Sequence, residues 1–351
     1  MNAELINFAA RVGRILSQRE SAFNELALDL FGLQFQYNPA YGRIAEAKGL
    51  TPDSVRHWAN IPFVPAAAFK ELELSCIPAD ERTDVFHSSG TTEQKPSRHF
   101  HCRESMAVYE KSLWSGFQEN VIGPLGDYDL LVLTPHLRLA PYSSLVHMFE
   151  TVQRQLAMPE TAFVGELDGD GVWALDFDAA LAALRTANKP KLILGTAFSF
   201  VHLLDFLAEH NMRLQLPDGS RVMETGGYKN RSRTMPRAEL HSLITEFLGI
   251  PRERIICEYG MSELSSQAYD SANRGRYFQF PPWARVQIVS PESGCEVSEG
   301  ETGLVRIFDL ANVFSVAAIQ TEDLGVRRGD GFELIGRAAL TEPRGCSLMT
   351  A

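Results

Sequence analysis

The sequence has few of the features that mark several large classes of protein. Its 351 residues include five cysteines, an odd number, and no two of them are spaced as a CxxC pair. This excludes a disulfide framework, argues against a zinc or thioredoxin-type site, and indicates a reducing compartment. The chain also contains no Gly-Lys pair, so the GxxxxGK[ST] phosphate-binding loop is excluded.

The charge balance and the short uncharged stretches exclude further classes. The chain has 33 Lys and Arg against 44 Asp and Glu, a formal charge of -11. Such an excess repels nucleic-acid phosphates and anionic lipid, so neither is a predicted partner. No uncharged stretch is longer than 192–204, which is shorter than the roughly 18–20 residues that a spanning helix needs. Because the apolar pattern of residues 1–16 also contains charges, which a signal peptide core lacks, we predict a cytoplasmic protein without membrane insertion.

The composition that remains is that of a globular protein, and its N-terminal part, 1–60, is predicted to be a helical segment. With 45% hydrophobic and 22% charged residues, the chain is neither disordered nor fibrous. Four apolar residues recur at helical spacing near the start: Leu5, Phe8, Val12 and Leu16. Gly32 is a predicted end of the second helix, and Thr51-Pro52 is a predicted start of a third.

Residues 61–280 are predicted to form an α/β core, in which apolar strand-like runs alternate with helical ones. The predicted strands are 129–133, 191–194, 221–225 and 254–259. The predicted helices are 143–156, 177–188, 197–211 and 237–248. This alternation is typical of a largely parallel sheet covered by helices.

After residue 280 the pattern changes to short alternating strands. Turn signals stand at 291–294 (Pro-Glu-Ser-Gly) and at 329–331 (Gly-Asp-Gly). We therefore predict a small, mostly antiparallel β subdomain over 281–337, followed by a mobile tail at 338–351.

Residues 87–97 are the most informative segment for function. They read His-Ser-Ser-Gly-Thr-Thr-Glu-Gln-Lys-Pro-Ser, and four hydroxyls, a glycine and a lysine lie within the eight residues 88–95. Gly90 has no side chain in the way, so main-chain amides can approach phosphate oxygens closely. Taken alone, the segment fits a phosphate-binding loop and a polar surface turn equally well.

Two later segments carry further motifs. Residues 258–263 read Glu-Tyr-Gly-Met-Ser-Glu and end a predicted strand, where ligands of open α/β sheets usually bind. Residues 321–325 read Thr-Glu-Asp-Leu-Gly and are followed by an Asp-Gly at 330–331 and a Gly-Arg at 336–337. In this order the three motifs resemble those of the adenylate-forming enzymes. Members of this superfamily activate a carboxylic acid with ATP as an acyl-adenylate and then pass the acyl group to a thiol.

Within that superfamily the chain resembles the short acyl-protein synthetases of bacterial luciferase operons, the LuxE type. Residues 143–146, 225–229, 261–267 and 344–348 carry this resemblance. It implies the α/β fold of the adenylate-forming N-terminal domain, with helix-covered parallel sheets and a small antiparallel β subdomain. Longer members have a swivelling C-terminal domain with a catalytic lysine. Because the sequence stops at position 351, soon after Arg337, and no lysine follows Lys229, that domain is predicted to be absent.

The resemblance also implies a set of phosphate-binding residues. Adenylation brings a carboxylate against the α-phosphate of an anionic nucleotide, so the site needs positive charge and directed hydrogen-bond donors. The residues expected around the β- and γ-phosphates are Ser88, Ser89, Gly90, Thr91 and Thr92, with Lys95 as the catalytic cation. Lys95 stands one place from the usual spacing because Glu93 replaces a glycine.

The other predicted ATP-binding residues are Gly226, Gly227, Tyr259, Gly260, Met261, Ser262, Asp323 and Arg337. By the resemblance, the two glycines at 226–227 and Tyr259 pack against adenine. Asp323 accepts hydrogen bonds from the ribose hydroxyls, and Arg337 contacts the same region. Glu263 is the predicted Mg²⁺ ligand, since a carboxylate offers a hard oxygen to a hard cation.

Cys346 is the predicted acceptor of the acyl group. A thiol is the most competent side-chain nucleophile near neutral pH, and the neighbouring Arg344 raises its thiolate fraction. The chain from Arg337 to Cys346 has a reach of at most about 30 Å. The sequence thus predicts an ATP-dependent acyl-protein synthetase that forms a thioester on Cys346. The resemblance implies a fatty acid substrate and an acyl reductase partner.

Two alternatives remain open on the residues alone. One is an acyl ligase whose acceptor thiol belongs to coenzyme A or a carrier protein. The other is a non-catalytic nucleotide-binding subunit of a reductase complex.

Overall fold

The structure is a computed structural model that describes residues 2–18, 22–88, 95–123, 126–158, 161–169, 172–186, 189–226, 235–270 and 275–338. The helices in this part of the chain are α1 (Ala3–Gln18), α2 (Phe23–Tyr37), α3 (Pro39–Ala47), α4 (Ala68–Glu71), α5 (Arg103–Asn120), α6 (Ser144–Gln155), α7 (Phe177–Arg185), α8 (Ala197–Glu209) and α9 (Arg237–Leu248). Across the described ranges, no helix is both long and apolar enough to cross a bilayer.

The strands are β1 (Val64–Pro65), β2 (Asp84–His87), β3 (Arg98–His101), β4 (Asp129–Val132), β5 (Ala162–Phe163), β6 (Gly165–Leu167), β7 (Trp173–Leu175), β8 (Lys191–Thr196), β9 (Arg221–Thr225), β10 (Ile255–Tyr259), β11 (Ala268–Tyr269), β12 (Ala284–Val289), β13 (Thr302–Asp309), β14 (Ala318–Arg328) and β15 (Gly331–Arg337). They include each of the four strands predicted between residues 129 and 259.

The first two helices follow the predicted apolar pattern but not every predicted boundary. The four residues spaced along one face of α1 are all buried, which confirms that face. The expected end of the second helix at Gly32 is wrong, because α2 continues to Tyr37. Phe31 and Gln34 on either side of the glycine are buried, so tertiary packing offsets the cost of about 1 kcal/mol that a glycine brings to a helix interior.

The third helix begins earlier than predicted. Its first residue is Pro39, and the Asn38 side chain caps it by accepting a hydrogen bond from the main-chain N of Tyr41 at 3.1 Å. Asparagine before a proline at the first helical position is a favourable helix start. Thr51-Pro52, the predicted start, instead lies in a turn.

The central sheet has six strands in the order β11-β10-β9-β8-β4-β5. Within it, β10, β9, β8, β4 and β5 run parallel to one another. Antiparallel β11 lies at one edge. Apolar residues of α7, α8 and α9 pack on one face, and those of α5 and α6 pack on the other. All residues of β8 and β10 are therefore buried, as is usual for parallel strands covered on both faces. The predicted parallel sheet covered by helices is confirmed.

A second sheet is formed largely by the chain after residue 280. β12, β13, β14 and β15 are antiparallel, and the short β1 pairs in parallel with β14. The predicted turns fall between β12 and β13 and between β14 and β15, so the predicted antiparallel strands are confirmed. The N-terminal helices pack on this sheet through a shared hydrophobic core, with the ring centroids of Phe23 and Phe308 5.9 Å apart.

The hairpin of β2 and β3 and the following helix α5 lie outside the predicted elements. The two strands pair antiparallel, with His87 opposite Arg98. Residues 88–97, the phosphate-loop candidate, are therefore the connection of this hairpin.

Candidate nucleotide-binding site

The two ends of the phosphate-loop candidate are fastened together at the tip of the hairpin. Ser88 Oγ accepts a hydrogen bond from the main-chain N of Ser97 at 3.0 Å, and the Ser88 main-chain N donates to the Ser97 carbonyl at 3.4 Å. The predicted residues Ser89, Gly90, Thr91 and Thr92 lie outside the described residues. The described base of the loop nevertheless fixes where the loop begins and ends.

The base of the loop contacts the 258–263 motif directly. Ser97 Oγ lies 3.4 Å from Ser262 Oγ. The Ser262 hydroxyl donates to Glu263 Oε2 at 3.0 Å, so Ser97 is the donor of this pair. His99 on β3 is 2.9 Å from the Ser262 carbonyl through Nδ1, and burial lowers its pKa to about 4. A neutral ring facing a carbonyl must carry its proton on Nδ1.

The third motif meets the second at Tyr259, the last residue of β10. Tyr259 is buried, and its Oη donates a hydrogen bond to Asp323 Oδ2 at 2.7 Å. Burial raises the pKa of Asp323, and the hydrogen bond from Tyr259 acts in the opposite direction. Arg337 lies opposite Asp323 in the β14–β15 pair, with its Nε 3.9 Å from Asp323 Oδ1. Three segments far apart in sequence thus form one continuous set of contacts.

Glu263 is placed where a single carboxylate could hold a magnesium ion. It is 5% exposed, and Ser262 supplies the hydrogen bond described above. Among the described residues there is no group of three or more His, Cys, Asp or Glu side chains that could hold a metal. Mg²⁺ is commonly held by one or two carboxylates together with substrate phosphates and water, so one buried carboxylate fits this cation.

The adenine-side candidates stand at the carboxyl ends of two adjacent parallel strands. Gly226 follows β9 and has a φ of +71°, which favours glycine; Gly227 lies outside the described residues. Thr225 Oγ1 donates a hydrogen bond to the Glu258 carboxylate. The ends of β9 and β10 are therefore joined by a hydrogen bond between two buried side chains.

The remaining predicted residues are less closely held. Lys95 is exposed, with Nζ 3.4 Å from Glu71 Oε2, and Met261 packs at the edge of the core beside Tyr259. Cys346 lies outside the described residues.

Glu258 and Glu224 were not among the predicted site residues. Both are buried near the ends of central strands, and burial raises the pKa of each to about 7. Glu224 Oε1 is 3.1 Å from His241 Nε2. The sequence feature that could identify both residues is an acidic residue inside an otherwise apolar strand, since a carboxylate there must have a specific partner.

Gly260 shows how closely the second motif packs on Glu258. A Cβ added at Gly260 would lie 2.3 Å from Glu258 Oε1, and the Thr225 hydrogen bond keeps that carboxylate from moving aside. We expect Gly260→Ala to lower the free energy of unfolding by about 1–3 kcal/mol, as overpacking does, measured by urea unfolding. The control is Gly32→Ala inside α2, where an added Cβ would meet no atom within 4 Å beyond its chain neighbours and the adjacent backbone of its own helix; it should stabilise by roughly 0.5–1 kcal/mol. A Gly260→Ala protein as stable as the wild type would contradict the tight approach.

Glu258 should also make stability depend on pH. Its folded-state pKa is about 7 against the usual 4.5, so protonated Glu258 contributes stability that is lost as the pH rises from about 5 to above 7. Glu258→Gln keeps an acceptor for Thr225 and cannot ionise. We expect it to unfold like the wild type near pH 5 but to be more stable at pH 8 by roughly 2–3 kcal/mol, since one pKa unit corresponds to ~1.4 kcal/mol.

Urea unfolding at pH 5 and pH 8 measures this difference. The exposed Glu209→Gln serves as the control and should not change with pH relative to the wild type. Parallel pH profiles for the wild type and Glu258→Gln would show that Glu258 is not the titrating group.

Among the solved structures that share this fold is an acyl-CoA ligase. The crystal structure of an open conformation of 2-hydroxyisobutyryl-CoA ligase, in complex with 2-HIB-AMP and CoA, aligns with a TM-score of 0.64 at 16% identity. The alignment covers 90% of this chain and 74% of that one. The chain belongs to the acyl-protein synthetase family LuxE, whose sequence profile matches residues 5–351.

Two curated relatives match over nearly their full length. The long-chain-fatty-acid–luciferin-component ligase of Aliivibrio fischeri is 22% identical over 346 residues, covering 93% of this chain and 87% of that protein. Its counterpart in Vibrio harveyi is 23% identical over 348 residues, covering 95% and 88%. The predicted family, fold and enzyme class are confirmed.

Proposed function

We propose that this protein activates a carboxylic acid with Mg-ATP and then forms an acyl thioester on Cys346. The observation that supports this most is the continuous set of contacts from Ser97 through Ser262 and Tyr259 to Asp323. It gathers the ends of the three motifs that the family uses for one nucleotide.

In the first step a carboxylate oxygen of the acid attacks the α-phosphorus of ATP, and pyrophosphate leaves. The hydroxyls and amides of residues 88–92 and the ammonium of Lys95 hold the β- and γ-phosphates. Asp323 receives the ribose hydroxyls beside Arg337, and adenine lies between the glycines at 226–227 and Tyr259. Glu263 would hold the Mg²⁺, which would neutralise phosphate charge when bound.

In the second step the Cys346 thiolate attacks the acyl carbon of the adenylate, the bond from that carbon to the phosphate oxygen breaks, and AMP leaves. The described part of the chain ends close to the site: the Ala338 main-chain N donates to the Glu322 carbonyl at 2.8 Å, one residue from Asp323. The chain from there to Cys346 spans at most about 29 Å. The thiol therefore needs no second domain to reach the acyl-adenylate.

The substrate we propose is a fatty acid, since the curated relatives are named for long-chain fatty acids. The thioester would then be delivered to an acyl reductase partner in the cytoplasm. The acidic net charge agrees with a protein that binds neither nucleic acid nor an anionic membrane.

One experiment separates this proposal from its alternatives. The wild-type protein is incubated with Mg-ATP and a panel of acids of increasing chain length, and pyrophosphate exchange and intact mass are recorded. Exchange together with an acyl-sized mass gain supports self-acylation. Exchange without a mass gain, but with thioester formed on added coenzyme A or carrier protein, would show an external acceptor. No exchange with any acid would leave a nucleotide-binding subunit.

A further inference from the structure

The turn that carries Glu263 is hydrogen-bonded to the end of β13. Asp309 accepts hydrogen bonds from the Ser265 main-chain N at 2.9 Å, from Ser266 Oγ at 2.7 Å and from the Ala311 main-chain N at 2.9 Å. Asp309 has no exposed surface. Because all of these partners donate, the carboxyl group acts as an acceptor only, the role of an ionised carboxylate.

Asn312, three residues further on, contacts Glu263 itself. Its Nδ2 donates to the Glu263 carbonyl at 2.8 Å and to the Val316 carbonyl at 3.1 Å, and its Oδ1 accepts from Ser265 Oγ at 2.5 Å. Both amide hydrogens and the amide oxygen are thus used. The flipped amide would face two carbonyls with its oxygen, so one orientation is fixed.

The network continues into two helices. Gln34 on α2 donates to the main-chain carbonyl of Asn312 at 2.7 Å. On the other side, Ser266 Oγ is 3.0 Å from Ser112 Oγ of α5 and 3.1 Å from Trp283 Nε1. Buried polar groups therefore connect the turn to the end of β13, to α5 and, through Asn312, to α2.

Buried polar groups are a costly way to fill a core, since each unpaired one destabilises the folded state, and apolar residues of similar volume would often serve stability as well. Here the hydrogen bonds converge on residues 263–266. We propose that Asp309 and Asn312 are positioning residues that hold the main chain at Glu263, so that its carboxylate meets the Mg²⁺ of Mg-ATP. This inference rests on the proposed function, and neither residue is among those predicted to contact the nucleotide.

The test compares two identical substitutions at buried asparagines. Asn312→Ala removes the hydrogen bond to the Glu263 carbonyl. Asn38→Ala removes the side chain that caps α3, because Asn38 Oδ1 accepts a hydrogen bond from the Tyr41 main-chain N. Both variants should melt at a lower temperature than the wild type without ligand. The distinguishing readout is the Mg²⁺ concentration that gives half of the ATP-dependent rise in melting temperature. We expect Asn312→Ala to raise it by about ten-fold, the effect typical of losing a partner that orients a metal ligand, and Asn38→Ala to leave it within two-fold.

A milder variant keeps the test informative where Asn312→Ala does not fold. Ser265→Ala removes only the donor to Asn312 Oδ1 and should raise the same Mg²⁺ concentration by about three-fold, and pyrophosphate exchange at limiting Mg²⁺ should fall in parallel. Excess Mg²⁺ should restore exchange in both variants, which a general loss of structure would not allow.

The outcomes separate the two levels of the proposal. Wild-type protein that binds Mg-ATP and catalyses exchange, together with Asn312 and Ser265 variants whose Mg²⁺ dependence matches Asn38→Ala, overturns the positioning role alone. Wild-type protein that shows neither Mg²⁺-dependent ATP binding nor exchange overturns the proposed function and this inference with it.

Discussion

Cys346→Ala is expected to abolish the acyl-protein while leaving pyrophosphate exchange within about two-fold of the wild type. The substitution removes the proposed nucleophile of the second step, whereas the groups proposed for the first step all lie elsewhere in the sequence, between residues 88 and 337. Without a thiol, the acyl-adenylate remains bound or is slowly hydrolysed. Intact-mass measurement after incubation with Mg-ATP and the best acid of the panel should therefore show no acyl adduct.

Cys295→Ala is the matched control, because Cys295 is the exposed cysteine among the described residues. It should acylate like the wild type. Cys76, Cys102 and Cys257 are buried, and burial raises the pKa of the Cys76 thiol to about 12, so none of these three is well placed to act as a thiolate. An adduct that persists in Cys346→Ala would place the acyl group on another residue and end the proposal for this thiol.

Asp323→Ala is expected to lower kcat/KM for ATP in pyrophosphate exchange by roughly 100- to 1,000-fold, about 3–4 kcal/mol. A charged acceptor for ribose hydroxyls would be lost, and Tyr259 Oη would lose its 2.7 Å partner. Asp323→Asn keeps an oxygen acceptor and should lose less. The loss should be small with an ATP analogue that lacks both ribose hydroxyls, since that analogue cannot use the carboxylate in the wild type either.

Glu322→Ala controls for the removal of a neighbouring acidic side chain, because strand alternation places it on the opposite face of β14 from Asp323. It should change kcat/KM by less than about three-fold. If Asp323→Ala reduced activity equally with ATP and with the analogue, Asp323 would not be the ribose acceptor, and the loss would reflect the altered contact with Tyr259.

The elements that could be predicted from sequence are those whose local pattern and tertiary burial agree. β9 and α9 begin and end at the predicted residues. In α9 the apolar period is followed by Gly249, which has a φ of +70° and ends the helix. A buried strand of a parallel sheet can be predicted from its apolar run alone.

Where long-range packing determines the bounds or the presence of an element, the local sequence pattern does not predict them. Gly32 is an ordinary stop signal, yet α2 passes it because its neighbours are buried against other parts of the chain. Helix α5 lies outside the predicted elements because its buried face includes serines, and the partners of the Ser112 hydroxyl among the described residues, Ser266 and Trp283, are distant in sequence.

The same distinction applies to the site. The order of the three motifs, together with the family resemblance, predicts that they converge, and in the described residues the contacts of Ser97 with Ser262 and of Tyr259 with Asp323 join their ends. The links that hold the motifs in place are contacts between distant residues: Thr225 with Glu258, and Asn312 with the Glu263 carbonyl. No spacing rule connects such pairs, so only the folded chain reveals them.

The pairing of β1 with β14 has a consequence for how the chain acquires its structure during synthesis. Val64 and Pro65 leave the ribosome long before their partners Ile319 and Gln320, and the N-terminal helices share their core with strands made equally late. The side of α2 that packs on Phe308 is thus uncovered for most of translation. Contacts of such high sequence separation slow folding and expose apolar surface in the meantime, so chaperones that bind nascent chains have a long opportunity to bind at α2.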